Sequence, residues 1–406
     1  MRILVIHGRN TPGRTARMAG FVLDSLMQRL ELSREPVQTE DVFLPRALPD
    51  FCTGCEACFR KGESFCPHAS FVAPLVERMR SADLLVLLSP CYVLNITAPL
   101  KNLYDHLGWM WMSHRPDKAF FGKPVLVVAS AAGFGIRKTL SALAASPSWW
   151  GSGPVVKFGR PIGDFSDPRI EDRLRLEARR VALRIFRLHQ RRFPRIGVST
   201  RLRFELMRLV QRGNTWSMLD RRHWASRGWL AGQRPWRTDS VDNDEELWDI
   251  LDEYRRPTGR THRRGDPLAP GDRHLVVHVL VTDGTSRLLA QKRSTKKSIW
   301  PGVWDLSAGG SAVSGEDSRT AALRELAEEL GITVSREDLQ SLGTVEFPGG
   351  FDDFWMVNCQ VDPDTLRFDR REVSAVRWVE TAEYRELAER CSAVPYPQLD
   401  AFFGAL

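Results

Sequence analysis

No run of about 18 apolar residues occurs anywhere in the 406-residue chain, which excludes a membrane-spanning helix. The opening residues, MRILVIHG, form a short apolar run ending in glycine. They lack the long apolar region and the small-residue cleavage site of a secretory signal, so a cytoplasmic location is expected. Lysine is missing between Arg169 and Arg237, where 19 arginines stand with only five acidic residues. The formal charge of +8 is therefore concentrated there, and the rest of the chain is net acidic. A basic stretch can meet nucleic acid or an anionic membrane surface. Arginine without lysine also follows from genomic base composition, and that plainer reading is preferred. The seven cysteines are odd in number, and four fall between Cys52 and Cys66. That clustering does not suit a disulfide framework and points to metal or redox chemistry. What remains is an ordinary globular composition, 43% hydrophobic and 27% charged, at a length that favours two or three domains.

The first half alternates short apolar runs with helical patterns. RILVIHG (2–8), VQTEDVFL (37–44), ADLLVLLSP (82–90), KPVLVVASA (123–131) and PVVKFG (154–159) read as strands. Helices are expected near 13–31, from about Ala98, near 136–146 and over a long basic stretch near 168–191. Five such units predict a doubly wound parallel sheet covered on both faces. Ligands of such sheets bind at the carboxyl ends of the strands. Three loops lie there: HGRNTPGRTAR (7–17), SPCYVLNITAPLKNLYDH (89–106) and SAAGFGIRKT (130–139). The first leads into a helix N-terminus, which binds phosphate well.

Together these loops resemble the flavodoxin-like NAD(P)H-dependent FMN reductase family. The resemblance implies FMN, with NAD(P)H as co-substrate, although no dinucleotide fingerprint is evident. It places Arg9, Asn10, Thr11, Arg14 and Thr15 on the FMN phosphate. Pro90, Tyr92, Val93 and Asn95 would flank the isoalloxazine, with Ala131, Gly133 and Gly135 closing over it. The plainer role for Thr11 and Thr15 is capping a helix. Cys91 stands where relatives often carry an apolar residue and is read as packing. LVQRGNTWSMLDRRHWASRGWL (209–230) looks like a tail of some of these reductases, which extends the first module to about Arg237.

The run CTGCEACFRKGESFCPH spaces Cys52, Cys55, Cys58 and Cys66 as C-x2-C-x2-C-x7-C-P. Bacterial ferredoxins share the start and the final Cys-Pro, whereas structural zinc sites usually have two separated knuckles. The spacing resembles the iron–sulfur flavoproteins, a branch of the same family, which implies a 4Fe–4S cluster on these four thiols. Free thiols and zinc remain as alternatives. His68 is read as an ordinary surface residue.

The second half begins after RTDSVDNDEE (237–246), a polar and acidic linker. LWDILDEYRRPTGRTHRRGD reads as a hairpin about its Pro-Thr-Gly turn. HLVVHVLVT (274–282), RLLAQKR (287–293), FWMVNCQV (354–361) and AVRWVE (375–380) read as strands. Leu323, Leu326 and Leu330 give helical spacing over 318–330. Glu325, Glu328 and Glu329 share another face. Crowded carboxylates resist joint ionisation unless a cation neutralises them, and all-oxygen donors suit Mg²⁺ or Mn²⁺.

Gly310, Glu316 and the run Arg324-Glu325-Leu326-Ala327-Glu328-Glu329-Leu330-Gly331-Ile332 match the fixed positions of the Nudix box. The resemblance implies an α/β/α mixed-sheet Nudix fold and metal-dependent hydrolysis of a small-molecule diphosphate, nucleoside-diphosphate-like or other. Glu325, Glu328 and Glu329 would be metal ligands, Glu316 an auxiliary acid and Gly310 a carbonyl ligand, with Arg324 orienting a neighbouring carboxylate. Glu328 and Glu329 are the candidate bases, ahead of Glu372. The flanks GRTHRRGD, HLVVHV, QKRS and WPGVWDLSAGG resemble the subgroup related to isopentenyl-diphosphate isomerases. Those enzymes use a cysteine and a histidine where this chain holds Gly309 and Ser311, so hydrolysis is favoured over isomerisation. His274 and His278 alternate onto one strand face, as remnants of that metal site or as plain core or surface histidines.

The expected protein is α/β: a flavodoxin-like FMN domain over 1–165, an Arg-rich, mostly helical extension over 166–237, a linker over 238–246 and a Nudix domain over 247–406. It reads as a bifunctional enzyme. The alternative is an electron-transfer flavoprotein with a protein donor or acceptor, fused to a Nudix domain. A homodimer through the first domain is expected by analogy. Contact of the Arg-rich segment with nucleic acid or membrane is disfavoured.

Overall fold

The computed structural model describes residues 1–162, 168–191, 196–237, 246–266, 268, 269 and 271–403. The chain divides into two compact units, Met1–His223 and Trp224–Leu406. The division falls ahead of the boundary expected near Arg237. The carbonyl of Ser226 accepts the N–H of Trp300, 2.7 Å, and Gln233 donates to the carbonyls of Thr295 and Lys297, both at 2.9 Å. Most of the expected linker, 238–245, lies outside the described residues. Among the described residues no helix is long and apolar enough to cross a membrane.

The first unit runs β1 (Arg2–His7), α1 (Arg14–Leu32), β2 (Gln38–Phe43), α2 (Leu44–Ala47), α3 (Ala57–Arg60), α4 (Ala69–Ser81), β3 (Leu84–Pro90), α5 (Ala98–His106), β4 (Val125–Ala131), α6 (Ile136–Trp149), β5 (Val155–Pro161), α7 (Pro168–His189), α8 (Val198–Arg212) and α9 (Met218–Ser226), whose last three residues fall in the second unit. The five strands form one parallel sheet in the order β2-β1-β3-β4-β5. This is the flavodoxin-like order, which reverses beside β1 and opens a ligand crevice there. Side chains alternate between the two faces. Leu4 and Ile6 of β1 pack with Leu75, Leu103 and Leu143 from α4, α5 and α6, while Ile3 and Val5 pack with Met18, Leu26 and Leu174 from α1 and α7. Burial of each such side chain contributes roughly 1.5–3 kcal/mol. Helix α7 keeps Leu174, Ala178, Ala182 and Ile185 inward and its arginines exposed.

The second unit runs β6 (Leu247–Leu251), β7 (Pro257–Arg263), β8 (His274–Thr282), β9 (Arg287–Arg293), β10 (Trp304–Asp305), β11 (Ala308–Ser311), α10 (Ser318–Leu330), β12 (Gln340–Phe347), β13 (Gly350–Asn358), β14 (Val373–Glu380), α11 (Thr381–Glu389) and α12 (Leu399–Phe403). Strands β8 to β14 form a seven-stranded mixed sheet in which β13 runs parallel to β8. Helix α10 covers one face through Leu326 and Leu330, and α11 and α12 cover the other through Tyr384 and Leu399. The α/β/α layering is as expected.

Two readings are corrected here. The β6–β7 turn is not at Pro-Thr-Gly, because Pro257–Gly259 lie within β7. The chain reverses at 252–256 instead, where the Asp252 carboxylate accepts the N–H groups of Tyr254 and Arg256, each at 2.8 Å. Strand β12 was unforeseen. It pairs antiparallel with β13, which starts at Gly350 instead of Phe354.

Candidate functional site

In the second unit, α10 begins at Asp317, whose carboxylate accepts the Thr320 N–H at 2.7 Å. Its Leu326 and Leu330 are fully buried. That fixes the opposite face against the loop at β11. Glu329, 3% exposed, accepts the Gly309 N–H at 3.1 Å and the side-chain amide of Gln291 at 2.7 Å. Glu325 lies against Gly310 so closely that a Cβ there would overlap its carboxylate, which only glycine permits. Arg324 ties the group together. It donates to both oxygens of Glu316 at 2.8 and 3.0 Å, to Glu325 at 2.9 Å, to Glu328 at 3.0 Å and to the Ser311 carbonyl at 3.1 Å.

Burial raises the Glu329 pKa against the pull of Lys297 and Arg293. Glu325 is pushed up to about 7, by burial first and by the charge of Glu329 next. Two carboxylates held in this state attract a cation. The donor set consists of carboxylates and the neighbouring Gly310 backbone, which fits a hard divalent ion. Gly310, Arg324, Glu325, Glu328 and Glu329 line one cavity of about 1090 Å³. Glu328 is exposed within it. Glu316 sits behind Arg324 and is not part of the lining.

Arg293, Lys297, Asp305 and Tyr396 also line the cavity and escaped the sequence reading because separate strands and loops supply them. Arg293 pairs with Asp305 at 2.7 Å, and Asp305 also accepts the Tyr396 hydroxyl at 2.6 Å. Glu372 is engaged by Lys297. His278 lines the cavity, and its Nδ1 donates to Asp352 at 2.7 Å. His274 does not line it. It stacks on Trp248 with ring centroids 4.4 Å apart. Among the described residues no cysteine lines this cavity.

In the first unit the three expected loops follow β1, β3 and β4. Arg9, Asn10, Thr11 and Arg14 are exposed, whereas Thr15 is buried and bonds Ser130 at 2.7 Å. Helix α1 is capped by Gly13, without a side-chain bond from either threonine. Tyr92 and Asn95 exchange backbone hydrogen bonds of 2.9 Å across a tight turn. The turn holds Val93 and Leu94 at φ 49° and 62°. Positive φ is costly for such residues and tends to mark functional sites. Pro90 is half-buried at the end of β3, and Tyr92, Val93 and Asn95 are exposed. Ala131 is buried at the end of β4, while Gly133 is exposed. Gly135, at φ 96°, lets the third loop meet the second, because a Cβ there would stand 2.5 Å from Cys91 Sγ. Cys91 therefore packs the two loops together.

Cys52, Cys55, Cys58 and Cys66 line a second hollow, of about 470 Å³, with His68 and His106. Burial, then the charges of Cys66 and Cys52, raises the Cys58 thiol pKa. His68 is not an ordinary surface residue: its Nδ1 lies 3.0 Å from His106 Nε2.

The family model described as NADPH-dependent FMN reductase matches residues 1–158, and that of the NUDIX domain matches 272–399. An uncharacterised Nudix hydrolase of Listeria innocua is 43% identical over 39% of this chain and 94% of its own length. An isopentenyl-diphosphate Delta-isomerase of Frankia alni is 33% identical over 37% of this chain and 79% of its own length. An iron–sulfur flavoprotein of Archaeoglobus fulgidus is 31% identical over 37% of this chain and 66% of its own length. FMN and NAD(P)H go with the first family and a divalent metal with the second. The chain therefore belongs to the Nudix hydrolase family through its second unit, joined in one polypeptide to a first unit that matches the FMN reductase model.

Proposed function

We propose that the second unit hydrolyses a small diphosphate compound with Mg²⁺ or Mn²⁺, and that the first passes electrons from NAD(P)H through FMN. The observation that carries the hydrolase reading is the convergence of Glu325 and Glu329 on Gly310 and Gly309. A bound divalent ion supplies charge neutralisation and a polarised water. Glu325 and Glu329 would hold it, and Gly310 would offer its carbonyl. Arg324 keeps three carboxylates in register. Glu328, exposed and bonded among the described residues to Arg324, would be placed to take the proton from water. Arg293 and Lys297 put positive charge on the same cavity, where diphosphate oxygens would sit. The absence of a cysteine from that cavity argues against isomerisation, whatever the likeness to the isomerase. Phosphate release from a panel of nucleoside diphosphates, and mononucleotide release from dinucleotides, with and without Mg²⁺, tests this reading. No metal-dependent release from any of them would reject it.

For the flavin, Arg9, Asn10, Thr11 and Arg14 would take the phosphate, and the Tyr92–Asn95 turn and the Gly133–Gly135 loop would bracket the ring. Thr15 would act indirectly, by anchoring α1 to Ser130. A second reading makes the first unit an electron-transfer protein. One observation favours it: the four thiols line a single hollow. It requires an iron–sulfur cluster, and the imidazoles in the same hollow argue for another occupant. We expect a cytoplasmic protein with a homodimeric first unit, which size-exclusion chromatography would check.

A further inference from the structure

The hollow beside the cysteine loop gathers donors that no iron–sulfur reading uses. Among the described residues, Cys66 Sγ and ring nitrogens of His68 and His106 all lie within 4.8 Å of one another. Cys66 and His68 flank Pro67 just before α4, and His106 closes α5. His106 Nδ1 stands 3.0 Å from the Asn102 carbonyl. A carbonyl only accepts, so Nδ1 carries the proton and Nε2 presents its lone pair. That lone pair faces His68 and Cys66. Metal-binding imidazoles are oriented in this way, with the far nitrogen donating to a backbone carbonyl.

The surrounding bonds hold the arrangement. Asn102 accepts the Cys52 N–H at 2.9 Å and donates to the Asp50 carbonyl at 2.9 Å, fastening the cysteine loop to α5. Arg115 donates to the Cys58 carbonyl at 2.5 Å. The two imidazole nitrogens are 3.0 Å apart. Nitrogens bound at about 2.0–2.1 Å to one tetrahedral zinc ion lie roughly 3.3 Å from each other, so a small relaxation admits the ion. Cys58 lines the same hollow and is half-buried, whereas Cys55 is exposed.

We propose that Cys66, His68 and His106, with Cys58 as fourth donor, hold a single divalent transition-metal ion of the zinc class. Thiolate and imidazole together select such ions over Mg²⁺ or Ca²⁺. Two cysteines and two histidines close a tetrahedral shell with no open position, which is the structural type. The ion would pin the loop of α3 to α4 and α5. A four-iron cluster would use all four thiols and leave both imidazoles idle.

The test uses the full chain, purified without oxygen or added metal. Zinc and iron are measured per chain in the wild type and in Cys55→Ser, His68→Gln and His106→Gln. Far-UV circular dichroism reports folding. The expected result is about one zinc ion, kept in Cys55→Ser and lost in either histidine variant. His68 is only half-buried, so His68→Gln remains informative if the buried His106→Gln fails to fold. Zinc-stripped wild type given Co²⁺ should show a thiolate-to-cobalt charge-transfer band that Cys66→Ser lacks. About four irons per chain, lost in Cys55→Ser and kept in His68→Gln, would overturn the proposal in favour of a cluster. Metal-free protein with no cobalt band would overturn it too, leaving a plain hydrogen bond between imidazoles.

Discussion

Glu329 combines near-complete burial with a place among three other glutamates of one box. Among the described residues its carboxylate has two neutral donors, Gln291 and the Gly309 N–H, and no side-chain ion pair of its own. The Glu329→Gln variant removes the charge and keeps the size. Metal-dependent hydrolysis should fall by more than the roughly 10–100-fold that loss of an outer-shell partner costs, as measured by phosphate release. In the presence of EDTA the same variant should melt at a temperature no lower than the wild type, because its repulsion of the Glu325 carboxylate is gone. His274 offers a pH test. Burial, then His262 and Arg264, pushes its pKa down to about 4 from an ordinary 6.5. As the pH falls below about 6.5 the unfolded chain takes the proton first, so stability is lost between about 6.5 and 4. His278 is shifted upward by Asp352 against the effect of burial and works in the opposite sense. Comparison with His274→Phe isolates the first term. Denaturant midpoints at pH 7 and pH 5 should differ less in that variant than in the wild type.

Among elements, α10 was the most legible. Leu326 and Leu330 mark its inner face, and the fixed spacing of its acids marks the outer one. Its cap was not read as such, yet Asp317 bonds the Thr320 N–H and is ion-paired with Arg336. These bonds, with the Arg336 side chain foremost, pull the Asp317 pKa down to about 2. Asp317→Ala should cost about 1 kcal/mol from the cap, seen as a lower denaturant midpoint. Strand β12, QSLGTVEF, was illegible because glycine, serine and glutamate break its alternation and it exists by pairing with β13. The turn at Asp252 was missed for a related reason: a proline and a glycine are stronger local signals than a single aspartate, but the aspartate had the backbone partners. His106 was missed because only the packing of α5 brings it beside His68, 38 residues earlier in the chain. Local periodicity carries no information about such a meeting.

At the scale of the whole molecule, two units with separate cores carry two chemistries. Chelation with EDTA should therefore abolish phosphate release while NADPH-driven FMN reduction continues, both assayed on one preparation. The arginines of α7 are exposed while Leu174, Ala178, Ala182 and Ile185 pack on the sheet. The claim on which the account rests most is that the acids of α10 are a metal cradle and not a solvated helix face. The direct measurement is Mg²⁺-dependent phosphate release by the full-length Glu328→Gln, Glu329→Gln double variant, with FMN reduction as the internal control. The account predicts release at background and flavin reduction at the wild-type rate. Release continuing at the wild-type rate would contradict it.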